Sequence, residues 1–241
     1  MNSFALTDVG VRRASNQDTV FISDEKIGAL PNLYIVADGM GGENAGDYAS
    51  RRCVEIVVDE VKHSKASKPV EILEQAIQVA NNIIFHEAKA DVSKSGMGTT
   101  FVAATVVDSH MFVANVGDSR LYVAGTTKFT QITNDHSVVA ELVRTGELAA
   151  DAARSDDRKN MITRAVGAEE SIKADYFDVV LKGNEHVLLC SDGLTNMVED
   201  KDIHSVLKSS DTIENKATRL VELANNNGGK DNVSAIVIEA F

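Results

Sequence analysis

Apolar residues fall in short runs along this chain, and their spacing predicts where strands and helices lie. Segments near 3–7, 19–23, 33–37, 99–107, 111–116, 120–124, 172–180, 186–190 and 233–238 are rich in Val, Ile, Phe and Tyr and read as strands. Helical patterns occupy about 44–63 and 70–91; in the second, Leu73, Ile77, Ala80 and Ile84 recur at helical spacing and share one face. Further helices are expected at 136–146, 200–208 and 212–226, the last with a stripe of Ala217, Leu220, Val221 and Ala224 and a stop at 225–229.

These elements do not alternate regularly. Two long helices come together, a strand meander follows, and a helical pair precedes the last strand. Thr99–Val107 and Met111–Val116 are separated by Asp108, Ser109 and His110, which suggests a hairpin. Short turns make neighbouring strands antiparallel, and sheets that also carry helices outside them point to a four-layer αββα sandwich. A length of 241 residues suits one domain over 1–241, with no repeat or flexible tract to divide it. The polar segment Glu147–Lys159 is the expected mobile surface element.

Composition narrows the function. No apolar stretch approaches the roughly 18–20 residues of a membrane span, and Met1 is not followed by a basic and then apolar leader, so a soluble cytoplasmic protein is expected. A formal charge of −12 argues against a large nucleic-acid footprint but not against a phosphorylated ligand, because bound cations reverse the local field. Cys53 and Cys190 read as small core residues.

The acidic residues carry the chemistry. Leu33–Ala37 runs into Asp38-Gly39-Met40-Gly41-Gly42, an apolar strand whose end should present a carboxylate over a sharp turn. The same grammar recurs where Val187–Cys190 meets Ser191-Asp192-Gly193 and where Phe112–Val116 meets Gly117-Asp118-Ser119. Asp231-Asn232 stands just ahead of the last strand, and Asn16-Gln17-Asp18 just ahead of Thr19–Ser23. Each signal alone is an ordinary turn, but convergent carboxylates are costly without cations. Aspartates without zinc-like histidine spacing suit hard cations such as Mg²⁺ or Mn²⁺. Two such ions activate water for in-line displacement at phosphorus. Arg12 and Arg13 are candidate phosphate anchors. A phosphate loop with its lysine, an acyl-transfer Gly-x-Ser-x-Gly elbow and a His-Glu-x-x-His motif are all missing.

At motif level the chain resembles the metal-dependent protein serine/threonine phosphatases of type 2C, in their bacterial form. The matching stretches are Thr7–Asp18, Val36–Gly42, Gly96–Thr100, Asn115–Arg120, Thr133–Ser137, Ile162–Gly167, Ser191–Thr195 and Gly228–Val233, in the family's order and across essentially the whole chain. The resemblance implies two central antiparallel sheets flanked by helices, with two Mn²⁺ or Mg²⁺ ions at one edge and a third in bacterial relatives. By the same resemblance, Asp38 bridges the core ions, the Gly39 carbonyl helps hold one, Asp192 and Asp231 complete the ligands of the first metal, and Asp18 stands close by, partly through water. Asp118 joins Asp192 at the third ion, Arg13 rather than Arg12 binds the substrate phosphate, and 135–160 forms a flap beside the site.

Two departures stand out. Gln17 occupies a position where many relatives carry Glu, and Met40 follows the Asp-Gly pair where eukaryotic relatives carry a histidine proposed as general acid. Met40 has no proton to give, and His136 is chemically suitable as a donor, although a structural role is the expected one for a single histidine beside the flap. The expected reaction is hydrolysis of phosphoserine and phosphothreonine by a metal-bridging water, without a covalent intermediate. Expected partners are Ser/Thr-phosphorylated proteins and a cognate Ser/Thr kinase, and the chain is expected to be monomeric. The alternatives are a metal-dependent hydrolase of small phosphoesters and a catalytically weak phosphoprotein-binding regulatory domain.

Overall fold

A computed structural model describes residues 1–42 and 45–240. In chain order the strands are β1 (Asn2–Asp8), β2 (Asp18–Ser23), β3 (Leu33–Met40), β4 (Gly98–Thr99), β5 (Phe101–Val107), β6 (His110–Val116), β7 (Arg120–Ala124), β8 (Phe129–Gln131), β9 (Asp175–Val180), β10 (Glu185–Cys190) and β11 (Val233–Ala240). The helices are α1 (Ala45–His63), α2 (Pro69–Ala90), α3 (Val138–Thr145), α4 (Asp192–Thr195), α5 (Asp200–Leu207) and α6 (Ile213–Asn226).

One sheet has the order β1-β11-β10-β7-β8, the other β2-β3-β5-β6-β9 with β4 beside β3, and the pairing is antiparallel throughout. The helices α1 and α2 cover the second sheet, while α4, α5 and α6 cover the first. This is the expected αββα sandwich.

Covering both faces of each sheet explains why the strands read as unbroken apolar runs. In β3, Leu33, Ile35 and Ala37 face the α1–α2 core, while Tyr34 and Val36 enter the core between the sheets. The same division puts Phe101 and Ala103 of β5 outward and Val102 and Ala104 inward. In β10, Leu188 and Cys190 face the α5–α6 core, whereas Val187 and Leu189 face the other sheet. Period-two alternation is present, but both phases are apolar because both faces are buried.

Several boundaries differ from the expected ones. The strand expected over 99–107 is broken at Thr100, so that β4 and β5 are separate, and Thr100 instead donates its N–H to the Asp38 carbonyl at 2.8 Å. His110 belongs to β6, leaving a two-residue turn of Asp108 and Ser109 with Asp108 at φ 54°. The strand expected from 172 begins at Asp175, because the preceding segment is held from the side: the Gln78 amide donates to the Ile172 carbonyl at 2.9 Å.

The helix expected from 136 starts at Val138, capped by the Ser137 hydroxyl, which accepts from the Ala140 N–H. For the first long helix, the expected residue 44 lies outside the described residues. Strand β8 and helix α4 had no periodic signal, being only three and four residues long. The segment 147–159 is irregular and largely exposed, as expected of a surface element, with Arg154 tying it to the Thr195 carbonyl at 2.9 Å.

Candidate metal centre

At one end of the sandwich the inward rows of both sheets turn from apolar to polar. Val36 leads to Asp38, Val20 back to Asp18, Val102 back to Thr100, Leu189 on to Ser191 and Ile236 back to Ser234, each by one step of two residues. Alternation therefore delivers these side chains to a single place, where the inter-sheet core ends. Direct pairing of β2 with β3 sets Asp18 opposite Asp38.

Asp18 is buried at 7% exposure. Its Oδ2 accepts from the Ser234 hydroxyl at 2.7 Å and the Ser191 hydroxyl at 2.8 Å, the first in β11 and the second just past the end of β10 in the opposite sheet. Its Oδ1 is buried without a hydrogen-bond partner. Desolvation, reinforced by the charge of Asp231, raises the Asp18 carboxyl to about 6.

The chain approaches itself closely here. A Cβ on Gly39 would stand 2.0 Å from the Gly46 carbonyl oxygen, and one on Gly193 would stand 1.9 Å from that of Asn232. Any side chain at Gly39 would push α1 off β3; at Gly193 it would separate Asp192 from the Asp231 segment.

Asp38, Asp118, Asp192 and Asp231 line one cleft of about 260 Å³, together with Arg13, Gln17, Gly39 and Met40. Their proximity is visible in their acidities. Asp38 and Asp192 are pushed well above the ordinary carboxylate range by burial, and next by other members of the cluster. Burial, with Asp135 behind it, raises Asp118 to about 7. Among the described residues no group of three or more acidic, His or Cys side chains is drawn together tightly enough to hold an ion as it stands. The carboxylates are engaged elsewhere: Arg13 holds Asp231 Oδ2 at 2.8 Å and the Asn196 amide holds Asp192 Oδ2 at 2.8 Å.

The donor set nevertheless fits hard divalent cations. It is all oxygen, it concentrates buried like charge, and it includes an orphaned carboxylate oxygen on Asp18. Every residue expected at the centre is brought to it: Asp38, Gly39, Asp118, Asp192, Asp231 and Arg13 line the cleft and Asp18 lies beneath it. Arg12 does not line the cleft. Gln17 does, and its main chain is fixed by three contacts. Its N–H donates to Asn232 Oδ1 at 2.9 Å, and its carbonyl accepts from the Ser50 hydroxyl at 2.6 Å and the Gly39 N–H at 3.1 Å.

His136 lies outside the cleft lining, so the idea of it as a general acid gains no support. Its N–H donates to the Gly117 carbonyl at 2.9 Å, and its Nδ1 accepts the Gly117 N–H at 3.1 Å. Its Nε2 faces Asp175 Oδ2 at 3.2 Å and Arg164 Nη1 at 3.1 Å. An accepting Nδ1 requires the proton on Nε2 in the neutral ring, and burial lowers the pKa of His136 toward that neutral form. The ring thus fastens the turn that carries Asp118.

Ser191, Ser234 and Asn232 were not singled out for roles of their own in the sequence. Asn232 donates its amide to the carbonyls of Val9 and Ser15, both at 2.9 Å, and so pins the Arg13 loop to the start of β11. Ser191 and Asn232 are direct neighbours of Asp192 and Asp231, and Ser234 shares a row with Ile236. The signal available for Ser191 and Asn232 was their adjacency to Asp192 and Asp231.

The profile of the Protein phosphatase 2C family matches residues 11–233. The chain is 41% identical over 239 residues to the serine/threonine phosphatase stp of Listeria innocua, covering 97% of this chain and 93% of the relative. Among solved structures, the serine/threonine phosphatase Stp1 of Staphylococcus aureus superposes with a TM-score of 0.93 at 33% identity, over 99% of this chain and 94% of that one. The catalytic domain of the protein phosphatase PstP, in complex with 2 manganese ions, gives a TM-score of 0.87 at 30% identity over 98% and 96% of the two chains. With the sandwich, the carboxylate cleft and these similarities together, the chain belongs to the protein phosphatase 2C family and is a metal-dependent serine/threonine phosphoprotein phosphatase.

Proposed function

We propose that the cleft at the polar end of the inter-sheet core is the catalytic centre, and that Asp38 would be the principal holder of its core cations. The observation that carries this reading is the convergence of Asp38, Asp118, Asp192 and Asp231 with Arg13 on one cleft, above the orphaned Oδ1 of Asp18. Asp192, Asp231 and the Gly39 carbonyl would complete the core set with Asp18 supporting it from below, and Asp118 with Asp192 would hold a third ion. Manganese or magnesium suits these ligands, and the manganese in the PstP structure supports the former. Bound there, such cations lower the pKa of water and neutralise the charge of the phosphoryl group.

The chain's own residues do the rest. Arg13 presents a half-exposed guanidinium beside Asp231, ready to exchange that carboxylate for phosphoryl oxygens. Cys53 and Cys190 are fully buried, with thiols pushed up to about 12, so neither serves as a nucleophile. Water attacks phosphorus directly: a P–O bond forms to water, which gives up a proton to solvent, the bond to the Ser or Thr oxygen breaks, and that oxygen takes a proton from solvent in the cleft. Met40 and His136 are not its donors. The whole of 1–241 acts as one catalytic domain, with 135–160 as a flap beside the cleft.

The protein works as a cytoplasmic monomer that reverses a cognate Ser/Thr kinase. Among the described residues no helix is long and apolar enough to cross a membrane. The test is turnover of phosphoserine, phosphothreonine and phosphotyrosine peptides and of an aryl phosphate across a Mn²⁺ titration. Metal-dependent release from the first two, and little from phosphotyrosine, is expected. Turnover confined to the aryl phosphate would overturn the substrate assignment.

A further inference from the structure

A second, larger depression of about 540 Å³ adjoins the catalytic cleft and shares Met40 and Ile162 with it. Its size falls within the roughly 300–1,000 Å³ of recognition pockets, which the catalytic cleft does not reach. A phosphorylated side chain that fills the cleft leaves its own main chain outside. In an extended peptide each further residue advances about 3.3–3.6 Å, so the neighbouring residues must lie against whatever surface continues from the cleft.

The walls of this groove are fixed in advance. Thr99 and Val166 exchange backbone hydrogen bonds at 3.0 and 2.8 Å, tying the floor to β4 and so to the strand that carries Asp38. The far wall is held by α2. The buried Asn81 donates to the Glu169 carbonyl at 3.0 Å and accepts the Gly167 N–H at 2.8 Å, and Gln78 donates to Ile172. A groove set this way costs a ligand little ordering.

The lining is selective. Met40, Ile162, Ala168 and Ile172 supply apolar surface. Arg164 is committed to Asp175 at 3.0 Å, whereas Lys173, and Glu169 with which it shares the lining, have no ion-pair partner among the described residues. A cation left open beside the active site of a chain of net charge −12 is set against the general field.

We propose that this groove seats the polypeptide flanking the phosphorylated residue, with an apolar side chain against Met40, Ile162 and Ile172 and an acidic side chain at Lys173. The inference rests on the catalytic centre being in the adjoining cleft. Selection of substrate then lies in 162–173 as well as in the flap.

The test compares kcat/KM for phosphothreonine peptides with Glu or Lys placed on either side of the phosphoresidue, and for an aryl phosphate too short to enter the groove. The native protein favours the acidic flank by about fivefold, the scale of one exposed charge pair. Lys173→Glu reverses that preference, and Ala168→Trp raises KM for every peptide; both turn over the aryl phosphate at the native rate. An unchanged acidic-to-basic ratio in Lys173→Glu overturns the proposal. Should Ala168→Trp also disturb the aryl phosphate, the exposed Lys173 position alone decides. Retained aryl phosphate turnover in Asp38→Asn would instead show that the centre itself is misplaced.

Discussion

Asp18 and Asp38 are direct partners in the antiparallel pairing of β2 with β3, so a single register sets the buried carboxylate beside one that lines the cleft. A slip of β2 by one residue would turn Asp18 toward the α1–α2 core while Asp38 stayed at the cleft. The serines that hold Asp18 come from the opposite sheet, which makes the site a joint between the two sheets rather than a property of one.

Removing one of those serines should weaken cation binding without abolishing the fold. Ser234→Ala leaves Asp18 Oδ2 with Ser191 as its only hydroxyl donor. Calorimetric titration with Mn²⁺ is expected to show a loss of about 10–100-fold in affinity, typical for a residue that orients a ligand. An unchanged isotherm would mean that Asp18 plays no part in binding.

The metal-free protein should lose stability as pH rises. Asp18 at about 6 and Asp118 at about 7 hold protons in the folded state that an unfolded carboxyl of 3.8 has released. Their contribution is present below about pH 4 and is lost as pH climbs through 6 to 7. In chelator, Tm is expected to fall across that window, and saturating Mn²⁺ should flatten the fall. A Tm that rises from pH 5 to 7 in chelator would have the wrong sign for a cluster of this kind.

His136 should prove a positioning residue for the Asp118 turn. His136→Ala leaves the buried Gly117 N–H without its acceptor, at a cost of about 1–3 kcal/mol. An asparagine can present an acceptor where Nδ1 stands, so His136→Asn is expected to recover at least half of that loss in urea unfolding. Equal losses in the two variants would show that the Gly117 contact is not what the ring contributes.

Much of this was legible in the chain. The αββα layering followed from antiparallel runs plus two helical groups, and the aspartates from their places at the ends of apolar runs, Asp38 and Asp192 in Asp-Gly pairs. Less legible was whatever depended on which sheet faces which. Thr100, Ser191 and Ser234 reach the site because their rows continue Val102, Leu189 and Ile236 inward, yet both phases of those strands are apolar and hide the phase. The break at Thr100 and the short helix α4 arise from tertiary hydrogen bonds and close approaches, which leave no periodic trace.

The central claim is that Asp38 anchors the cations on which hydrolysis depends. Asp38→Asn keeps the shape of the strand end and removes a charge that its neighbours repel, so the chelated variant should melt no lower than the native protein. The decisive measurement is its turnover of a phosphothreonine peptide across a full Mn²⁺ titration. A loss of about 100-fold or more at every concentration is expected, the scale of removing a principal electrostatic group. Near-native turnover at saturating Mn²⁺ would contradict the account.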